Sequence, residues 1–176
     1  MNHRLIIVSN RLPVVVSREG NGWKLRPGSG GLVSALAPVL QEQGGLWLGW
    51  PGTAQDAPYD EIFRSARTEL GYDIQPISLT PEEVEGYYYG CSNETIWPLF
   101  HGLLGRTVFD RGYWETYREV NRKFAGKILK ATGDDDFVWV QDYQLLLAGS
   151  RIRERRPGAR LGFFLHIPFP SPDLFS

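Results

Sequence analysis

Short apolar runs alternate along the chain with longer stretches of helical period, and that alternation predicts the fold. Residues 5–8 (LIIV) form an unbroken β-rich run without polar alternation, the pattern of a strand buried on both faces. VVV at 14–16 and WKL at 23–25 flank Glu19-Gly20-Asn21-Gly22, and Asn-Gly between such runs predicts a hairpin. Gly28-Ser29-Gly30-Gly31 opens a helix to about residue 43, with Leu32, Leu36 and Leu40 on one face; Gly44-Gly45 ends it. LWLGW at 46–50 reads as the next strand. A helix is expected over 59–70 and a strand over 74–79. Thr80, Pro81 and Glu83 carry the signature of a capped helix start. Residues 111–131 predict a long helix, with Trp114, Tyr117, Phe124 and Ile128 sharing a face. FVWV at 137–140 predicts a strand, 144–156 a helix stopped by Pro157-Gly158, and 160–165 a last strand.

Strands and helices in alternation with short connections imply an α/β fold, a mostly parallel sheet wound with helices, with a hairpin inserted near the start. In such open sheets ligands bind outside the C-terminal ends of the strands. The last expected strand ends at that edge, so the reading is of one incomplete domain, residues 1–176, with a partner domain expected elsewhere.

Composition narrows the function. With 176 residues, 42% hydrophobic, the chain can bury a real core. Its 19 basic and 20 acidic residues give a net charge of −1, so nothing favours nucleic acid as a partner. Arg151, Arg153, Arg155 and Arg156 surround Glu154 and read as a solvated helix end. A single cysteine, Cys91, excludes an internal disulfide and reads as a buried small apolar residue in a reducing compartment. The first apolar run is too short for a signal peptide, and no run reaches membrane-spanning length, so a cytoplasmic, soluble protein is expected with no membrane partner. Six Trp, eight Tyr and nine Phe suit a core, and also the apolar face of a sugar ring.

Candidate chemistry clusters at the predicted strand ends. Arg11 follows the first strand, where a guanidinium can fork onto a phosphate. Gly30 and Gly31 precede a helix whose free N–H groups favour an oxygen-rich ligand, although neither G-x-G-x-x-G nor a P-loop is present. Tyr88 and Trp97 lie nine positions apart, on opposite sides of an unbroken α-helix. A break near Gly90 or Asn93 is therefore expected, letting phenol and indole converge. Asp142 follows the strand at 137–140, placed either to accept from sugar hydroxyls or to cap the next helix. His166 is presented where prolines 168 and 170 end the ladder. With His3 and His101 the other histidines, no metal set is visible, and neither a cofactor nor a nucleophile–base pair is expected. Asn121 interrupts the apolar face of the long helix without an evident reason.

Together these pieces resemble the trehalose-6-phosphate synthases, a family of retaining glycosyltransferases. The matching stretches are VSNRLPV (8–14), GSGGL (28–32), GLWLGWPG (45–52), YYYGCSNETIWPLFH (87–101), YREVNRKFA (117–125), VWVQDYQLLL (138–147) and LGFFLHIPFP (161–170). Gln141 and Gln144 stand where many members carry histidines, a subtype difference. The resemblance implies the first of two Rossmann-like domains facing a cleft, the GT-B arrangement. It implies transfer of glucose from UDP-glucose, or another nucleotide-glucose, to glucose 6-phosphate. It places Arg11, Tyr88, Trp97 and Trp50 around the acceptor, Asp142 on its hydroxyls, and Gly30, Gly31 and His166 by the donor; Asp142 and His166 are the residues assigned a catalytic place. It also implies attack on the face the leaving group departs from, with the diphosphate oxygen taking the acceptor's proton and a basic pair of a second domain stabilising it. The 176 residues by themselves are expected to lack transferase activity, and homo-oligomers are common in the family. Two other readings are a transferase to another acceptor such as glycerol 3-phosphate, and a non-catalytic sugar-phosphate-binding module. A generic dinucleotide-binding domain lacks its glycine fingerprint.

Overall fold

The computed structural model describes residues 3–20, 22–53, 58–59, 61–63 and 70–175. Strands β1 (Leu5–Arg11), β4 (Leu46–Trp50), β5 (Asp73–Pro76), β6 (Phe137–Gln141) and β7 (Arg160–Phe164) form one sheet in the order β5-β4-β1-β6-β7. All four neighbouring pairs are parallel. Strands β2 (Val14–Glu19) and β3 (Gly22–Pro27) form the separate antiparallel hairpin, Val14 opposite Pro27. With the hairpin set aside, the sheet reads 3-2-1-4-5, a doubly wound order whose direction switches between β1 and β6.

Alternation along the strands builds two cores. Ile6, Val8, Leu46 and Leu48 face helix α4 (Arg111–Ala131), helix α5 (Ala148–Arg155) and the helical run after Thr80. Ile7 and Trp47 face helix α1 (Gly31–Gln43), with Leu36 and Leu40 buried, and the hairpin residues Val14 and Val16. Ile6, Ile7 and Val8 are wholly buried, as a strand covered on both faces must be. The helix expected over 59–70 is helical at 59, 61–63 and 70; its remaining positions lie outside the described residues.

Several expectations are corrected. The strand expected over 74–79 ends at Pro76, although Ile77 N–H still donates to Gly49 O (2.8 Å); proline itself has no N–H to give the ladder. The last strand stops at Phe164, before Leu165. Trp114 is 45% exposed, stacked on Tyr117 at 5.7 Å and not packed in the core. Arg156 is part-buried and not simply a solvated helix end: its guanidinium donates to Leu129 O, Gly133 O and Thr132 Oγ1 and ties α5 to the end of α4. The helix expected over 144–156 is a single tight turn, Tyr143–Leu145, followed by α5.

The start at Thr80 behaves as its sequence predicts. Thr80 Oγ1 accepts from Glu83 N–H (3.2 Å), Glu83 Oε2 accepts from Thr80 N–H (2.9 Å), and Pro81 occupies the first turn of α2 (Pro81–Glu83). No break follows. The chain continues as a π-helix, Val84–Ile96, directly into helix α3 (Trp97–Phe100).

Candidate functional site

The site grows from the strand exits on either side of the switch point. At the end of β1, Trp47 Nε1–H donates to Ser9 Oγ (2.7 Å), and Ser9 Oγ–H in turn donates to Arg11 O. That chain fixes the backbone from which Arg11 emerges exposed. Its guanidinium lies over the Trp50 ring, Cζ 4.7 Å from the centroid, within cation–π range. Trp50 closes β4; it is 4% exposed, and its indole N–H donates to Thr53 O (3.0 Å), so it serves as a platform whose donor is already used. Gly52 makes room for this arrangement. It sits at φ +87°, and a Cβ there would lie 2.6 Å from Arg11 Cζ. The Trp50 ring also meets Tyr88, centroids 6.2 Å apart and tilted 54°.

Tyr88 reaches this row through the π-helix. An i→i+5 hydrogen bond, such as that from Trp97 N–H to Ser92 O, needs more residues per turn than the 3.6 of an α-helix. At roughly 4.4 residues per turn, nine positions make about two full turns. Tyr88 and Trp97 therefore return to the same side without the break that α-helical spacing demanded. Trp97 is 39% exposed and stacks on His101 with centroids 4.0 Å apart. No ring contact joins it to Trp50 or Tyr88 among the described residues.

The exit of β6 is built differently. Asp142 has φ 74° and ψ 170°, a region that side-chain-bearing residues rarely enter and that costs on the order of 1–3 kcal/mol. Three bonds hold it there. Its N–H donates to Phe164 O (2.7 Å), while its Oδ1 accepts from Tyr143 N–H (2.9 Å) and His166 N–H (3.1 Å). Both sequence readings of Asp142 therefore have a place: one carboxylate oxygen caps the turn, and Oδ2 makes no hydrogen bond among the described residues. The same bond from His166 links the exits of β6 and β7. Gln141, 1% exposed, turns its amide nitrogen toward Trp139 O (3.5 Å) and its carbonyl toward His166 Nε2 (3.0 Å). Facing that carbonyl, the imidazole donates from Nε2–H.

Helix α4 clamps the loop after Asp142. Tyr117 O–H donates to Tyr143 O (2.7 Å), and its oxygen accepts from Leu146 N–H (3.1 Å). Asn121, wholly buried, donates through Nδ2 to Tyr117 O and Gln144 O (3.0 Å each) and accepts from Leu147 N–H (3.2 Å). The polar interruption of the apolar helix face thus satisfies backbone groups of a loop too irregular to pair its own. Tyr143 closes the circuit: its O–H donates to Asn93 Oδ1 (3.0 Å) on the π-helix. Burial, then the neighbouring Asp142 carboxylate and Tyr88, push its phenol up to about 12, so it stays a donor at ordinary pH. Cys91, on the buried face of the π-helix, has its thiol pushed up to about 12 by that burial, which makes it inert packing.

The structure therefore brings Arg11, Trp50, Tyr88, Asp142 and His166 to one edge, joined by Tyr143. Gly30 has φ 132° and no side-chain cap, and exposed Gly31 begins α1; no hydrogen bond ties either to the row among the described residues. Tyr143, Asn93, Tyr117 and Asn121 were missed as site residues. For Asn121 the signal was present, an amide on a helix face otherwise apolar. Among the described residues no group of three or more His, Cys, Asp or Glu is placed to hold a metal ion, and no helix is long and apolar enough to cross a membrane.

A wound parallel sheet that gathers an arginine, aromatic rings and a strained carboxylate at the strand exits beside its switch point defines a ligand-binding domain of the doubly wound α/β class. Residues 3–176 match the model of glycosyltransferase family 20, and the chain belongs to that family. It is 42% identical to the trehalose-6-phosphate synthase of Mycobacterium avium (strain 104), over 99% of this chain and 35% of that relative. The crystal structure of alpha,alpha-trehalose 6-phosphate synthase from Burkholderia multivorans superposes with a TM-score of 0.79 at 36% identity, covering 99% of this chain and 35% of that one. A UDP-forming synthase from Burkholderia xenovorans, solved in complex with glucose-6-phosphate, gives 0.74 at 32%, covering 97% and 35%. The chain thus spans about a third of the length of these relatives.

Proposed function

We propose that residues 1–176 are the acceptor-binding domain of a retaining, GT-B glucosyltransferase that makes trehalose 6-phosphate from UDP-glucose and glucose 6-phosphate. One observation carries the reading: Arg11 on Trp50 beside Tyr88, and Asp142 bonded to Tyr143 and His166, stand at strand exits on the two sides of the switch point, with Tyr143 O–H tied to Asn93 of the π-helix that bears Tyr88. A phosphorylated hexose needs a cation and phenolic or indole donors at one end and a hydroxyl acceptor at the other. Arg11, Tyr88 and Trp97 supply the first set, with Trp50 beneath the guanidinium, and Asp142 Oδ2 supplies the second. His166 Nδ1, and the α1 N-terminus at Gly30 and Gly31, meet hydroxyl or diphosphate groups of the donor. A same-face attack in which the leaving diphosphate takes the acceptor's proton requires no enzymic nucleophile, so these residues position the reactants and stabilise charge. The names and bound ligands of the relatives support the same substrates.

Calorimetry of the 176-residue chain with glucose 6-phosphate tests this. The expected outcome is saturable binding, weakened at least tenfold by Asp142→Asn, and no trehalose 6-phosphate when UDP-glucose is added. Glycerol 3-phosphate binding as tightly as the hexose, or binding indifferent to Asp142, would defeat the assignment.

A further inference from the structure

A second concentration of charge lies away from this edge. Arg4 Nη2–H donates to Ala131 O (2.8 Å), which fixes the C-terminal end of α4 beside the start of β1, at the opposite end of the sheet. Over the last part of α4, a groove of about 510 Å³ is lined by Arg122, Lys123, Lys127 and Lys130, by Arg155 of α5, and by Gly126 and the segment after β5. None of its lining residues is acidic. A smaller cleft of about 170 Å³ adjoins it between α4 and α5, and its one acid, Glu154, is paired with Arg151.

Two of the five cations are spoken for. Arg122 holds Glu119, and Lys123 donates to Ser78 O (3.0 Å) and pairs with Glu83 (2.6 Å). Lys127, Lys130 and Arg155 have no ion pair or hydrogen bond among the described residues. Lys123 and Lys127 at i, i+4, and Lys127 and Lys130 at i, i+3, are like charges at spacings that destabilise a helix. Lys130 and Arg155 each stand in a last helical turn, where the helix dipole favours a cation. That accounts for neither Lys127 nor the convergence of all three.

Gly126 supplies an independent observation. Inside a helix, glycine costs about 1 kcal/mol relative to alanine. Packing explains the glycines of the π-helix: a Cβ at Gly90 would meet the Tyr113 ring at 2.5 Å, and one at Gly86 would meet Thr116 Oγ1 at 2.8 Å. At Gly126 a Cβ would meet nothing within 4 Å. No neighbour in this chain requires the missing side chain, and its absence leaves the floor of the basic groove open.

We propose that this groove is a binding site for a small ligand carrying two phosphate groups. Lys127, Lys130 and Arg155 bind the phosphates, and the ligand rests against the bare backbone of α4 at Gly126. The volume lies in the range of small-molecule sites and exceeds the needs of one phosphate. The phosphate-binding end of the groove lies away from the proposed glucose 6-phosphate edge: Lys130 is about 14 Å along the axis of α4 from Asn121, which holds the loop after Asp142.

The test titrates the ¹⁵N-labelled 176-residue chain with inorganic pyrophosphate at low salt and follows its amide signals. Shifts are expected at 77–78, 122–130 and 155, with a Kd at least tenfold below that for orthophosphate. Gly126→Trp, which fills the floor, and the double substitution Lys127→Gln/Lys130→Gln should each weaken binding at least tenfold, while Gly126→Ala, which adds one methyl to the floor, weakens it by a smaller factor. If Gly126→Trp fails to fold, the lysine pair and the preference for pyrophosphate decide. The proposal fails if shifts scatter over all basic surfaces, if orthophosphate binds equally well, or if a folded Gly126→Trp retains full affinity. That last result would mean charge attraction without a built site.

Discussion

The two strand exits that flank the switch point, β1 and β6, solve the same problem by opposite means. At β6, Asp142 is forced into an unfavourable backbone region and pinned by neighbours, and the loop behind it is tied down by two side chains of α4. At β1, Arg11 follows a one-residue bulge after Val8 in the pairing with β4, stays exposed, and rests on one ring. Under the proposed function, a carboxylate that meets particular hydroxyls gains from being fixed before the ligand arrives, because less ordering entropy is then lost on binding. A guanidinium that meets a phosphate can adapt, since its fork accepts several approaches. The difference predicts that the β6 exit couples strongly to folding stability and the β1 exit hardly at all.

The largest effect is expected at Asn121. Asn121→Ala leaves the buried Gln144 carbonyl and Leu147 N–H without partners, at a cost of about 3 kcal/mol in urea unfolding. Glucose 6-phosphate affinity should fall with it, because the loop carrying Asp142 is released. A cost below about 1 kcal/mol would mean the loop holds itself and the clamp is incidental.

Asn121 also marks the limit of what the sequence disclosed. The strands were legible because fully buried parallel strands carry undiluted apolar runs, as at 5–8 and 137–140. The helix start at Thr80 was legible because a capping box is a local device. The VSNR, QDYQ and FLHIP stretches marked three strand exits, and the resemblance they carried agrees with the family match. What escaped was set by tertiary partners. The bonds from Asn121 to Gln144 and from Arg156 to Leu129 reach across more than twenty residues of sequence, and no local pattern names their partners, although the amide on the apolar face of α4 signalled that Asn121 had one. The π-helical winding of Val84–Ile96 escaped because reading by a 3.6-residue period presupposes the α-helix; that assumption turned two residues on one side into residues apparently opposed. The backbone of Asp142 escaped because a left-handed φ is expected at glycine.

A smaller effect separates two substitutions at Asp142. Both lose the bonds from Tyr143 N–H and His166 N–H, at about 1 kcal/mol each. Asp142→Ala keeps the backbone strain as well, so it should cost about 2 kcal/mol. Asp142→Gly relieves strain of roughly 1–3 kcal/mol while making the unfolded chain more flexible, and should fall within about 1 kcal/mol of the parent. The glycine variant is therefore expected to melt above the alanine variant, the reverse of the order usual for an ordered position. Equal melting temperatures would remove strain from the account of this exit.

Arg11→Ala is the smallest perturbation to the fold and the sharpest to the comparison. The residue is exposed, and its cation–π contact with Trp50 is worth about 0.5–1 kcal/mol at most in such a setting. Losing that contact is partly offset, because an alanine has no long side chain to order beside Gly52. Urea unfolding should therefore move by no more than about 0.5 kcal/mol. Glucose 6-phosphate affinity should nevertheless drop at least tenfold, since the guanidinium is the charged group proposed to meet the phosphate. Arg11→Lys keeps the charge but loses the planar stack and the second parallel bond, so it should recover only part of the affinity. An Arg11→Ala variant that unfolds as readily as Asn121→Ala would erase the contrast between the two exits, because it would make the guanidinium a structural strut instead of an adaptable hand.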